Sequence, residues 1–296
     1  MRTCHDCIPC FFKQALAASR IAGADDATQR EILNEVARHV PDFQFHASPP
    51  EMARIIYKIV NEMTGVEDPY LRIKNECNRF ALDIYNKLID KLNNSEDKLL
   101  TAVELSIAGN IIDYGPKNTL QVDDELEKIL SDEHQKIQHE KNRFFQYDQF
   151  KASLSQTDNI LFLADNAGEI VFDRVMLEVI KQQYPQLPIW FAVKEKPAIN
   201  DALEQDAVAC GLHKVAQVIS SGSDAPGTIL ELCSESFQKI FREADMVISK
   251  GQGNFETLSD VNRPIFFLLI AKCPVIASHI GCGVGDIILD YHHAEN

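Results

Sequence analysis

From about residue 157 onward, short apolar runs alternate with amphipathic segments, and this alternation constrains the fold more than any other feature of the chain. Residues 160–164, 188–193, 215–219, 246–249, 266–270 and 275–277 read as strands. The stretches 169–183, 201–211, 226–243 and 254–260 suit helices. Such a pattern predicts a mostly parallel sheet with helices on both faces. In open sheets of this type ligands bind beyond the carboxyl ends of the strands. The loops that leave the strand ends are therefore the places where chemistry is expected.

Residues from about 10 to 155 carry a helical period instead. Ser48-Pro49-Pro50-Glu51 offers an N-cap with proline in the first turn, followed by Met52, Ile55, Ile56 and Ile59 at helical spacing. Asp68-Pro69 opens another helix, with Leu71, Cys77, Phe80, Ala81, Ile84, Tyr85 and Leu88 broadly on one side. Thr101 to Ala108 and the charged stretch from Asp123 to Phe150 are further helical candidates. The expected organisation is a helical region over 1–155 and a sheet-bearing domain over 156–296.

With 296 residues, 45% of them hydrophobic, the chain can bury one large core or two. No apolar run approaches the roughly 18 residues that a membrane span requires. Cys4, His5, Asp6 and Cys7 interrupt any signal-peptide core, so a cytoplasmic protein is expected. Eight cysteines then read as thiols or metal ligands rather than a disulfide framework. A net charge of −15 repels phosphate backbones and argues against nucleic acid as a partner. Small anions respond to local charge instead, and a bound metal ion can reverse the field within one pocket.

Four strand-end loops are chemically unusual. "DNAGE" holds Asp165, Asn166 and Glu169, and the loop after residue 193 ends on Asn200-Asp201. Asp165, Asn166 and Asp201 offer the carboxylate and amide oxygens that hard divalent cations prefer. The loop after residue 219 carries Ser221 and Gly222 ahead of a helix expected to open at Pro226, offering hydroxyls and N–H groups at a positive helix end. The loop after residue 249 begins Lys250-Gly251 and continues to Asn254, a lysine followed by glycines that let backbone N–H groups approach a phosphate. Each loop alone also reads as an ordinary turn or helix cap, and the residues by themselves leave both readings open.

Several other chemistries are excluded. Gly251-x-Gly253 has Glu256 where a dinucleotide fingerprint needs a small residue, and Gly281 to Gly285 lies too near the C-terminus to begin a βαβ unit. There is no P-loop, no EF-hand spacing and no Gly-x-Ser-x-Gly nucleophile elbow.

Taken together, "CHDCIPC", "AGNIIDYG", "DNAGEIVFD", "INDA", "SGSDAPGT" and "SKGQGNFETL" resemble, in order and over nearly the whole chain, the family once called domain of unknown function 89. Its members are described as metal-dependent damage-control phosphatases, and the cysteine-rich start resembles the compact archaeal and bacterial branch. The resemblance implies a helical N-terminal region packed on a three-layer α/β/α domain with a mostly parallel sheet. It places a divalent cation (Mg2+, Mn2+, Co2+ or Ni2+) on Asp165, Asn166 and Asp201. It makes Lys250 the phosphate-contacting lysine with Asn254 beside it, and it brings Asn110 and Asp113 to the cleft between the two regions. Asp113 or Glu169 would orient the attacking water or protonate the leaving oxygen. An aspartyl-phosphate route through Asp165 stays open, although the Asp-x-Asp pair of such enzymes is missing. The expected partner is a small phosphorylated metabolite.

Cys4, Cys7 and Cys10 form a C-x2-C-x2-C run whose thiolates suit zinc or an iron–sulfur cluster, with His5 or Cys77 as a conceivable fourth ligand. Buried reduced thiols ahead of a helix are the simpler account. Two rival functions from other classes are a carboxyl methyltransferase using S-adenosylmethionine and a non-catalytic sensor of a phosphometabolite. Methyl transfer does not call for the Asp/Asn/Asp set.

Overall fold

The computed structural model describes residues 1–43, 45–110 and 143–292. Seven helices precede the sheet among the described residues: α1 (Cys7–Ile21), α2 (Asp26–His39), α3 (Pro49–Thr64), α4 (Leu71–Asp83), α5 (Tyr85–Asn93), α6 (Lys98–Ala108) and α7 (Tyr147–Leu154). Strands β1 (Ile160–Leu163), β2 (Ile189–Val193), β3 (Gln217–Ser220), β4 (Met246–Lys250), β5 (Ile265–Ile270) and β6 (Ile287–His292) follow. Between them run α8 (Glu169–Gln183), α9 (Glu204–Ala209), α10 (Glu235–Glu243), α11 (Gln252–Leu258) and α12 (Pro274–Ile280).

The sheet order is β3-β2-β1-β4-β5-β6. The first five strands pair in parallel, and β6 closes the edge antiparallel to β5. The chain winds outward from β1 in one direction and from β4 in the other, so a topological switch point lies between β1 and β4.

Strand β1 shows how the layers arise. Its side chains alternate faces, as the pleat requires. Ile160 and Phe162 join Phe191, Ile248, Phe266 and Leu268 in a core shared with α4 to α8. Leu161 and Leu163 join Val247, Phe267 and Leu269 in a second core closed by α10, α11 and α12. Burial on both faces explains why these strands are apolar throughout rather than alternating. Helices α1 to α3 form a third cluster of their own around Phe11, Ile32 and Ile56. The result is a helical N-terminal region packed on a three-layer α/β/α arrangement with a mostly parallel sheet. No helix among the described residues is long and apolar enough to cross a membrane.

Local signals account for most boundaries. Ser48 and Glu51 complete a capping box at the start of α3. Four elements differ from the sequence reading. Residues 275–277 lie inside α12, not in a strand, because Pro274 cannot donate to a ladder and instead opens the helix. The last strand is β6, whose Asp290, Tyr291 and His292 concealed it in an apolar search. The helix expected over 226–243 is a short 3-10 turn at Leu230–Leu232 followed by α10, which Ser234 caps through the Phe237 N–H. The helix expected from Asp68 breaks into α4 and α5 around Ile84. Most of the stretch read as helical between Asp123 and Phe150 lies outside the described residues; α7 begins at Tyr147.

Candidate active site

Strand β1 delivers Asp165 to the carboxyl edge of the sheet, next to the switch point. The Ala202 N–H donates to the Asp165 carbonyl and the Ala167 N–H to the Asn200 carbonyl, each at 2.9 Å. Between them Asn166 and Asp201 pair as an antiparallel bridge. Two segments far apart in sequence thereby set Asn166 and Asp201 side by side. Asn78 of α4 braces the turn, accepting the Gly168 N–H at 2.7 Å while donating to Asp206 at 2.7 Å. Ile199, two residues before Asp201, has φ 52°, a left-handed conformation that a β-branched residue adopts only under constraint. Backbone strain of this kind gathers at functional sites.

Helices α6 and α8 meet face to face beside this loop. Gly109 makes the approach possible: a Cβ there would sit 3.0 Å from the Phe172 Cβ and 3.2 Å from the Glu169 side chain. Ser106 and Asn110, four residues apart, oppose Asp173 and Glu169, also four apart. Ser106 Oγ donates to Asp173 Oδ1 at 2.7 Å, and Asn110 Nδ2 to Glu169 Oε2 at 2.9 Å. Asn110 Nδ2 also reaches Asp165 Oδ2 at 3.2 Å, and Asn166 Nδ2 donates to the same oxygen at 2.9 Å.

Lys250 lies beneath. Its Nζ donates to Glu169 Oε1 and Asp173 Oδ1 at 2.6 Å each and to the Ser106 carbonyl at 2.8 Å. All three side chains of this ion network are fully buried. An ammonium has three N–H bonds, and these acceptors use them. Burial pulls the Lys250 pKa down, but the adjacent Asp173 and Glu169 carboxylates outweigh it and hold the ammonium above its ordinary value. Burial also pushes the Asp173 carboxyl up to about 6, against the lowering pull of Lys250. Lys250 thus faces inward in this structure, bound to Glu169 rather than open to the cleft.

Gly251 is required where it stands. Its φ is 79°, and a Cβ would lie 1.9 Å from Asp165 Oδ2. Asn254 is fully buried and braces three segments: it donates to the Ala164 carbonyl at 3.1 Å and the Lys250 carbonyl at 2.7 Å, and accepts from Thr228 Oγ1 at 2.7 Å. Ser221 and Gly222 lie beyond β3, but no helix opens at Pro226 to give them a positive helix end. Their N–H groups are already engaged: Ser221 N–H goes to the Val193 carbonyl at 2.8 Å and Gly222 N–H to Ser220 Oγ at 3.0 Å, while Ser221 Oγ accepts the Ser223 N–H at 3.4 Å. Asp113 lies outside the described residues.

The comparisons with known proteins are consistent along the chain. The profile of the damage-control phosphatase ARMT1-like domain matches residues 3–288. This chain belongs to that family. A crystal structure of a domain-of-unknown-function-89 family protein from Pyrococcus horikoshii superimposes with a TM-score of 0.88 at 30% identity, covering 99% of each chain. A damage-control phosphatase of the same organism is 32% identical over 291 residues, 97% of both proteins. A damage-control phosphatase of Archaeoglobus fulgidus is 35% identical over 239 residues, 80% of both. An uncharacterised protein of Methanocaldococcus jannaschii is 33% identical over 292 residues, 96% of this chain and 93% of that protein.

The donor set of this family member suits a hard divalent cation. Asp165, Asn166 and Asp201 supply two carboxylates and an amide, and the buried Asn110 Oδ1 has no hydrogen-bond partner among the described residues. No three His, Cys, Asp or Glu side chains among the described residues form a metal-binding group, so amide oxygens and water would have to complete any shell. The N-terminal thiols are a separate matter. Cys4 Sγ and Cys7 Sγ lie 3.6 Å apart, while Cys10 is exposed and accepts from Gln14 Nε2 at 3.5 Å. Burial pushes the Cys7 thiol up to about 12. Cys77 sits against Gly168, in a different core from Cys7, and the His5 ring lies 4.8 Å from that of Phe45 at a 37° tilt.

Sequence reasoning missed Asp173, Ser106 and the bracing Asn78. The first was discoverable: in "DNAGEIVFD" Glu169 and Asp173 stand one helical turn apart, a polar pair bracketing the apolar Ile170, Val171 and Phe172.

Proposed function

We propose that this member of the damage-control phosphatase family hydrolyses phosphate monoesters of small metabolites with the help of a divalent cation. One observation carries the reading: Asp165, Asn166 and Asp201 meet at the carboxyl edge of the sheet, and Asn110 and Glu169 tie them to Lys250. Asp165, Asp201, Glu169 and Asp173 set four negative charges against the two positive charges of Lys194 and Lys250, leaving a formal −2. A phosphate dianion is repelled by such a site unless a cation joins it.

Asp165, Asn166 and Asp201 would hold that cation, and Asn110 is placed to assist. When bound it would polarise a phosphoryl oxygen and lower the pKa of a coordinated water. Glu169, fixed by Lys250 on one oxygen and by Asn110 on the other, is oriented to hold a water or a leaving-group proton. Lys250 acts from beneath by keeping Glu169 in place. Nothing in this network favours methyl transfer over phosphoryl chemistry, and a mere sensor has no need of a fixed buried carboxylate at the ligand edge.

The test is a phosphate-release assay on an aryl phosphate with Mg2+, Mn2+, Co2+ and Ni2+ in turn, followed by a panel of phosphorylated metabolites. Metal-stimulated release, with turnover of some phosphate monoesters in the panel, is the expected result. Absence of release with every cation sinks the proposal.

A further inference from the structure

We propose that Lys194 is a lysine that meets the substrate's phosphoryl group, and that in the metal-free protein it stands in for the cation at Asp201. The inference rests on the metal-dependent reading above and concerns a residue to which that reading gives no role.

Lys194 directly follows β2, on the same edge as Asp165 and Lys250. Its N–H donates to the Ala202 carbonyl at 3.0 Å, and Ala202 in turn bonds the Asp165 carbonyl, so the backbone is locked to the Asp165–Asp201 ladder. The side chain is only 5% exposed. Its Nζ lies 3.5 Å from Asp201 Oδ2 and donates to the Gly227 carbonyl. A charge-assisted hydrogen bond is usually 2.7–2.9 Å long. The Lys194–Asp201 pair is therefore held by charge rather than by a formed hydrogen bond.

Lys194 and Lys250 differ in how far their ammonium groups are already used. Lys250 has three oxygen acceptors at 2.8 Å or less and is wholly enclosed. Among the described residues Lys194 has one acceptor, Gly227, and one loose ion pair, which leaves donor capacity for a ligand. Its flexible four-carbon stem can re-aim a point charge with little backbone movement. Once Asp201 turns to a divalent cation, an ammonium at 3.5 Å would face like charge and lose its partner. The phosphoryl oxygens of a bound substrate then offer the nearest compensation. Gly227 keeps the chain end in place: it packs against the Gly253 carbonyl in the first turn of α11, the helix that carries Asn254. Lys194 thereby joins the loop holding Asp201 to the helix that follows Lys250.

The experiment compares wild type with Lys194→Met, which preserves length and removes charge. Calorimetric titration with Mn2+ alone should show affinity unchanged or increased up to about tenfold, because a competing cation has been removed. Inorganic phosphate should bind the Mn2+-loaded variant at least about tenfold more weakly, and hydrolysis of an aryl phosphate should fall on the order of 10²-fold. Lys194→Arg should recover part of both. Unchanged phosphate affinity and turnover in Lys194→Met overturn the proposal, as does loss of Mn2+ affinity, which would mark Lys194 as a scaffold for the metal loop. Should Lys194→Met fail to fold, Lys194→Arg decides through the same titrations: phosphate affinity above that of Lys194→Gln is expected, and equality with it contradicts. Wild type that binds no Mn2+ would instead refute the metal-dependent reading itself.

Discussion

Lys250 and Glu169 form a 2.6 Å ion pair in which neither side chain touches solvent. Removing one partner of such a pair leaves a buried charge without compensation, typically at a cost of about 3–5 kcal/mol. Here Lys250→Met would strand both Glu169 and Asp173. Urea unfolding should show a stability loss in that range or beyond. A loss below about 1 kcal/mol would mean that the network does not form.

Gly251→Ala should disable the site with a smaller effect on the fold. The added Cβ falls on the Asp165 carboxylate, and the positive φ adds strain of about 1–3 kcal/mol. Either Asp165 moves or the β4–α11 turn opens. Metal titration should show affinity reduced at least about tenfold, and wild-type affinity in Gly251→Ala would contradict the placement of Asp165.

Glu256 gives a pH dependence whose sign is fixed. Burial pushes its carboxyl from the ordinary 4.5 up to about 7. The folded state therefore holds the proton more tightly than the unfolded chain. The resulting stability is complete below about 4.5 and is lost as pH rises through about 7. Its ceiling is roughly 3 kcal/mol. Glu256→Gln should flatten this slope, gaining stability relative to wild type between pH 5 and pH 8. Parallel urea curves at the two pH values check it, and an equal difference at both contradicts it.

Cys4 and Cys7 should prove dispensable for hydrolysis. Burial keeps the Cys7 thiol protonated, and Cys10 turns outward. Elemental analysis of the double variant Cys4→Ser/Cys7→Ser should match wild type in zinc and iron, with aryl phosphatase activity retained. Loss of bound zinc or iron would instead establish a metal site at the C-x2-C-x2-C run.

Most of the sheet could be read before the structure because parallel strands buried on both faces are unbroken apolar runs between turns, as in β1 and β5. Strand β6 escaped because, lying at the sheet edge, it ends on Asp290-Tyr291-His292 and carries no such run. The helix expected at Pro226 failed for a related reason. Proline and glycine there serve a loop that packs against Gly253, and the real cap is Ser234. Within the site, the placement of Asp165, Asn166 and Asp201 beyond the strand ends was legible. The direction of Lys250 was not. Its spacing suggested a phosphate contact, yet its partners Ser106 and Asp173 come from two helices whose packing through Gly109 no local pattern announces.

If Asp165, Asn166 and Asp201 hold a divalent cation on which hydrolysis depends, phosphate release from an aryl phosphate must follow the metal. The decisive assay measures that release after chelation, then during Mn2+ addition, for wild type and the Asp165→Ala, Asp201→Ala and Asn166→Ala variants. Background rates are expected after chelation, with recovery of wild type on Mn2+ addition. Asn166→Ala should be partly rescued at high Mn2+, because only a neutral ligand is lost, and neither Asp variant should recover. Full activity in the chelated wild type, or normal turnover by Asp165→Ala and Asp201→Ala, would contradict this dependence.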